Sequence, residues 1–141
     1  MALSASGLYC ANFKSIVQND VAMDWLADAN KVALVNNSAT PNFDSDTTWT
    51  SANEVGTPSG GIALSTPTCT VTSGSLVFDA VDTAWGSQSI SNIYGAYIYD
   101  TTISNLLWAL IYFGGTPYSV TSGVFTIQWH SSGIFSLDLT P

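Results

Sequence analysis

Ten carboxylates, one histidine, two lysines and two cysteines make up the ionisable side chains of this sequence, tyrosines aside. His130 is the single base that titrates near neutrality, and any of the nineteen serines could in principle be its nucleophile. A serine hydrolase, however, places that serine on a G-x-S-x-G elbow, which occurs nowhere in the chain. His130 belongs to His130-Ser131-Ser132-Gly133, a turn sequence, and reads as a solvated turn histidine. Asp79 and Asp82 are spaced around a turn ahead of Trp85, where two carboxylates could serve glycoside hydrolysis. Aspartates also bond their own backbone in turns, which accounts for both. Asp44-Ser45-Asp46 puts two carboxylates in one loop, a start towards calcium, but the twelve-residue EF-hand pattern is absent.

From Val55 to Pro141 there is no Lys or Arg, and Asp79, Asp82, Asp100 and Asp138 are the only charged side chains. Proton transfer and substrate charge need a richer set of groups than this. The chain therefore reads as a structural or binding protein and not an enzyme, with no catalytic residue, cofactor or metal site expected.

Aromatic side chains are the more promising contact groups. Trp49, Trp85, Trp108 and Trp129 with Tyr94, Tyr97, Tyr99, Tyr112 and Tyr118 have the makings of a sugar-stacking platform or of core and subunit contacts. The run Leu106–Phe113 has no polar alternate face, so both of its sides must be covered, which favours core and subunit contact. Tyr97 and Tyr99 share one side of a strand.

Composition sets the frame for these groups. The 141 residues fit one domain, 1–141, with 46% hydrophobic residues against 9% charged, where about 25% charged is usual. Ser and Thr together keep a β-surface wet without charge. They do not block edge-to-edge pairing, which monomers usually prevent with Lys or other edge charges. A net charge of −8 with no Arg opposes binding to nucleic acid or to an anionic membrane surface. The longest apolar run is far too short to span a bilayer as a helix. The opening residues lack the basic and apolar regions of a secretory signal, so Cys10 and Cys69 are expected as free thiols.

Tyr9, Phe13, Ile16 and Val17 recur at helical period, with Ser6 as a cap and Asn19-Asp20 as the stop. This predicts an N-terminal arm and helix over 1–20. Lys31–Val35 is a β-branched run closed by Asn36-Asn37 and predicts the first core strand. Residues 38–61 form a long loop with a short helical turn near Thr50–Glu54. Beyond it the period is two: Ile62 to Val71 with a bulge at Pro67, then Ser75–Asp79 after a Ser73-Gly74 turn. Ile93–Tyr99 and Leu106–Phe113 follow as central strands. Val124–Trp129 and Phe135–Leu139 alternate cleanly and are expected to pair as a hairpin. The fold class expected is mainly β: an antiparallel β-sandwich or jelly-roll-like domain over 31–141, with a short N-terminal helix.

The order of these segments resembles a small virion structural protein of tailed bacteriophages. The likeness runs through Lys31–Val35, Thr40-Pro41-Asn42, Asn53–Gly56 and Gly60–Leu64. It continues through Phe78–Trp85, Ala96–Asp100, Leu110–Gly114 and Gly123–Trp129 before Gly133-Ile134. That resemblance implies a head decoration, or cement, protein on the outer surface of the capsid, made in the host cytoplasm. Its partners would be the major capsid protein and two further copies in a homotrimer, with no nucleic acid and no membrane. Tyr97, Tyr99, Trp108 and Tyr112 are then expected at the subunit interface. Leu8, Tyr9 and Phe13 of the N-terminal segment and Phe43 and Trp49 of the loop at Asn42–Gly61 are expected to touch the capsid, and removal of residues 1–20 is expected to abolish attachment without unfolding the sheet. A tail or fibre component that binds a host glycan or receptor is the alternative.

Overall fold

A computed structural model describes residues 3–140. Met1 and Ala2 of the expected arm lie outside the described residues. The chain is mainly β, 47% strand and 8% helix, with antiparallel sheets packed as a sandwich and one short helix near the N-terminus. Both thiols are free.

The first layer is a five-stranded sheet. Its centre is β7 (Gly95–Asp100), between β2 (Asn30–Val35) and β8 (Leu106–Tyr112). Two-residue strands close its edges: β1 (Gly7–Leu8) beside β8 and β3 (Ile62–Ala63) beside β2. The second layer is built from β10 (Phe135–Asp138), β5 (Ser75–Val81) and β4 (Ser65–Thr72) in that order, and from a ribbon of β6 (Thr83–Ile93) and β9 (Tyr118–Ile127). Every pairing is antiparallel.

Period-two patterning sorts the first sheet into two faces. Val32 and Leu34 of β2, Ala96 and Ile98 of β7 and Trp108 of β8 turn inward, onto Trp25, Phe78, Trp85, Ile90 and Ile93. Register slips between Ile98 and Tyr99, so that Tyr99 pairs with Leu107 and not with Trp108. That bulge lets adjacent Trp108 and Ala109 both join the inner core. Trp25 meets Trp108 and Phe78 edge-on at 5.3 and 5.6 Å, and Phe78 stacks on Phe135 at 4.6 Å. Buried indoles need acceptors. Trp108 Nε1 donates to Asn30 Oδ1 at 2.9 Å and Trp25 Nε1 to the Thr68 carbonyl at 3.0 Å.

Local signals hold where the chemistry is local. The β4–β5 hairpin turns on Ser73 and Gly74, both at positive φ (48° and 81°), the geometry of a two-residue turn matched to strand twist. The bulge expected at Pro67 is present between Ser65 and Thr68. The helical turn of the long loop is a 3-10 turn at Ser51–Asn53.

Three expectations are corrected. Val124–Trp129 and Phe135–Leu139 do not form a hairpin: β9 pairs with β6, and β10 with β5. Gly133, at φ +94°, makes the change of sheet feasible. A Cβ there would lie 2.6 Å from Val77 Cγ1 and 2.8 Å from the Phe78 carbonyl oxygen, so only glycine lets the chain run close against β5. The helix α1 spans Cys10–Val17 with Tyr9 at the N-cap and no side-chain cap. Ser6 instead accepts a hydrogen bond from the Tyr112 amide, and Val17, expected on the apolar stripe, is 83% exposed. Asp79 lies inside β5, so Asp82 alone occupies the β5–β6 junction.

Candidate functional site

The outer face of the five-stranded sheet carries Ala33 and Val35 of β2, Tyr97 and Tyr99 of β7, and Leu107 and Leu110 of β8. A sheet face this apolar must be covered. Leu3, Tyr9, Phe43, Ala39 and Trp49 cover it, all from the N-terminal segment and the 36–61 loop. The indole of Trp49 lies flat on Tyr99, centroids 4.3 Å apart and planes within 10°.

Backbone and side-chain hydrogen bonds stitch this cover down. The Tyr9 amide donates to the Trp108 carbonyl, the Cys10 amide to Phe43, the Trp49 amide to Asn105 and the Leu107 amide to Thr47. Asn12 is buried and its Nδ2 donates at 2.8 Å to the carbonyls of both Thr47 and Leu107, joining helix, loop and sheet. Further along the loop, Glu54 accepts from the Gly60 amide at 2.7 Å and from the Ser59 hydroxyl at 3.1 Å. Gln88 of β6 accepts from the Thr57 amide and donates back to its carbonyl. Tyr99 donates its hydroxyl to the Gly60 carbonyl at 2.6 Å. Burial, and then the charge of Glu54, push the Tyr99 phenol up to about 12, so it stays a donor.

The expected contact residues therefore divide by depth. Tyr9 and Trp49 are buried in a second core on the outer face, with Phe43 half-buried against it, while Leu8 and Phe13 are half-buried against the core between the layers. Tyr99 and Trp108 are buried as well, leaving Tyr97 and Tyr112 half-exposed among the residues expected between subunits. The buried four offer a partner protein little side-chain surface, Trp49 the most at 9% exposed. The described part of the N-terminal segment supplies an edge strand, a buried tyrosine and the Asn12 bridge, and packs as part of the sandwich.

Within this cover lies a polar hollow of about 300 Å³. Trp49, Tyr97, Asp46, Asn53 and the threonines at 40 and 48 line it. Asp46 accepts from the Asn42 amide at 2.7 Å through Oδ2. Trp49 Nε1 is buried without a partner among the described residues. Tyr9 packs on Tyr97 at 6.3 Å and on Phe43 at 5.2 Å. Burial raises the Tyr9 phenol, with neighbouring Tyr97 and then Asp46 adding to it; burial also raises Tyr97, opposed by its hydrogen bond with Tyr9 and reinforced by Asp46.

His130, Asp79 and Asp82, singled out in the sequence, lie outside the lining of this hollow. His130 is exposed and accepts the Ser132 amide through Nδ1 within its turn. Asp82 accepts the Trp129 amide, and Asp79 its neighbour Ala80's. The described residues hold no group of three or more His, Cys, Asp or Glu side chains arranged for a metal. No helix among them is long and apolar enough to cross a membrane.

A feature that sequence reasoning missed is Asp100, which is 0% exposed at the end of β7. Its Oδ1 accepts the Thr102 amide at 2.7 Å, while Oδ2 is buried with no partner. Asn30 is its strand partner, and two residues before Asn30 stands Asp28. Burial, opposed in part by the Thr102 amide and reinforced by the adjacent Asp28 carboxylate, holds the Asp100 carboxyl above the usual range. Asn12, Gln88 and Glu54 were likewise missed. Each acts through a partner at least five positions away, which leaves no local pattern to read.

Comparison with protein-family models, with curated proteins and with solved structures returns no match.

Proposed function

We propose that this chain is a virion structural protein of a tailed bacteriophage, a decoration or cement protein bound to the outside of the capsid. The observation that carries the reading is the chemistry of the second layer's strands. β4, β6 and β9 contain no charged residue, yet β4 is exposed along nearly its whole length and is an edge of its sheet. Val71, Tyr118 and Val124 on these strands are 77%, 52% and 58% exposed. A freely diffusing monomer protects such edges with lysines or other charges. A protein that lives in a lattice meets neighbours there instead, and stable contacts bury about 1,200–2,000 Å² in total. The resemblance of the segment order to a small virion structural protein of tailed bacteriophages points the same way, as does the acidic, arginine-free composition, which suits the outside of a shell and not its packaged genome.

Trimer formation and attachment to the major capsid protein are part of this proposal, with the contacts on the second layer and on half-exposed Tyr97 and Tyr112. Copy number tests it. Quantitative mass spectrometry of purified particles should find this chain at a number comparable to the major capsid protein. A handful of copies would move it to the tail or a fibre, and absence from the particle would overturn both readings.

A further inference from the structure

We propose that Asp100 and Asp28 share a proton, and that this proton latches the turn at 24–29 to the end of β7.

The two segments lie side by side, joined by their backbones. The Thr101 amide and hydroxyl both donate to the Ala29 carbonyl, at 3.1 and 2.9 Å, and the Ala29 amide donates to the Thr102 hydroxyl at 2.9 Å. Next to this seam Asp100 is 0% exposed. Its Oδ1 takes the Thr102 amide, while Oδ2 meets no donor among the described residues. What stands against this carboxyl is a second one, that of Asp28, half-buried and in reach of solvent. Two ionised carboxylates in contact repel and burial disfavours each charge, so one of them keeps its proton. A proton on Asp100 Oδ2 gives the orphaned oxygen a partner, since it then donates to Asp28 in a charge-assisted O–H···O bond. Burial pushes the Asp100 carboxyl above the usual range, the Thr102 amide opposes this and Asp28 reinforces it.

No cation stands in for that proton. In strand register Asp100 faces Asn30 on one side and Leu106 on the other. The 101–105 turn holds no titratable residue, and no Lys or Arg follows Val55. Lys31 comes next after Asn30, but its amine lies at Gly60, 3.8 Å from where a Cβ on that glycine would sit. Lys14 is exposed on α1. Asp24, at the head of the turn, spends its carboxylate on the Leu26 and Ala27 amides and gives its own amide to Asp28 Oδ2 at 2.6 Å.

The latch holds Trp25 in place. Its indole sits in the core between the layers with Nε1 on the Thr68 carbonyl of β4, and its carbonyl accepts from Asn30 Nδ2. When the proton leaves, two like charges push the turn away from β7, and Trp25 loosens from β4. An unfolded aspartate titrates near about 3.9. With the folded value raised, the latch's contribution is complete below that pH and is lost as pH rises through the folded value. The turn is therefore shut on the acid side and released towards alkaline pH.

A carboxyl-carbon NMR titration and indole N–H exchange on the intact protein, from about pH 3 to about pH 9, test this. The Asp100 carbon should titrate above the ordinary aspartate range. Across that step the Trp25 protection factor, which is free of the intrinsic pH dependence of exchange, should fall about tenfold or more while that of Trp108 holds. Asp100→Asn supplies a permanent donor and should keep Trp25 protected throughout. Asp28→Asn, which keeps an acceptor for the Asp24 amide, should move the Asp100 step to lower pH. An Asp100 step at the ordinary value, or Trp25 protection flat across the step, would overturn the proposal on the unmodified chain alone, whether or not a variant folds. The same alkaline loss in Asp100→Asn, or an Asp100 step unmoved by Asp28→Asn, would overturn it as well.

Discussion

Asp100→Asn should make this protein more stable at neutral pH. The aspartate is 0% exposed, its Oδ2 has no partner, and Asp28 stands beside it. An asparagine there keeps Oδ1 for the Thr102 amide and puts an N–H₂ donor where the orphaned oxygen was, facing the Asp28 carboxylate. Relieving one unsatisfied buried acceptor is worth about 1–3 kcal/mol. In a domain of this size each kcal/mol moves Tm by roughly 3–5 °C. The sign of the pH dependence follows from the direction of the shift. Unfolded, the carboxyl titrates near about 3.9; folded, its pKa is raised, so the native state holds the proton to higher pH. The contribution of Asp100 to stability is complete below about pH 3.9 and is lost as pH rises through the folded value. The advantage of Asp100→Asn should therefore be small at pH 3 and full at pH 7. Thermal and urea unfolding of both proteins across that range measures it. A variant less stable at pH 7, or an advantage undiminished at pH 3, would refute the argument.

Asn12→Ala should cost about 2–4 kcal/mol by urea unfolding, because it deprives two carbonyls, at Thr47 and Leu107, of their shared donor. Gly61→Ala should be among the most damaging single-methyl changes. Gly61 sits at φ +70° and the added Cβ would collide with the Val32 carbonyl, so the variant should lose several kcal/mol or fail to fold. Removal of residues 1–20 should abolish the cooperative melt, since it uncovers the second core; a truncated protein with an unchanged Tm would contradict that. Trp85→Ala, emptying a site 0% exposed, should cost about 3–5 kcal/mol.

Local patterns carried much of the fold. Lys31–Val35 became the body of β2, Ser73-Gly74 the hairpin turn and Leu106–Phe113 a strand covered on both faces. Each depends on a few neighbouring residues whose backbone preference or side-chain period acts at short range. The turn at His130–Gly133 was equally legible, and His130 lies exposed in it with its Nδ1 accepting the Ser132 amide.

Tertiary structure alone decided the partners. Alternation told that Phe125 and Ile127 share a face, as do Phe135 and Leu137. It held nothing about β9 joining β6 across the whole of β7 and β8, since period two fixes which way a side chain points and not what it meets. Nor did it tell that the first segment and the long loop would be consumed in covering the sheet, burying Tyr9 and Trp49. The hollow beside Trp49 and the buried Asp100 likewise gather residues far apart in the chain. Such sites arise only when non-local packing has already fixed both sides, so no window of sequence contains them.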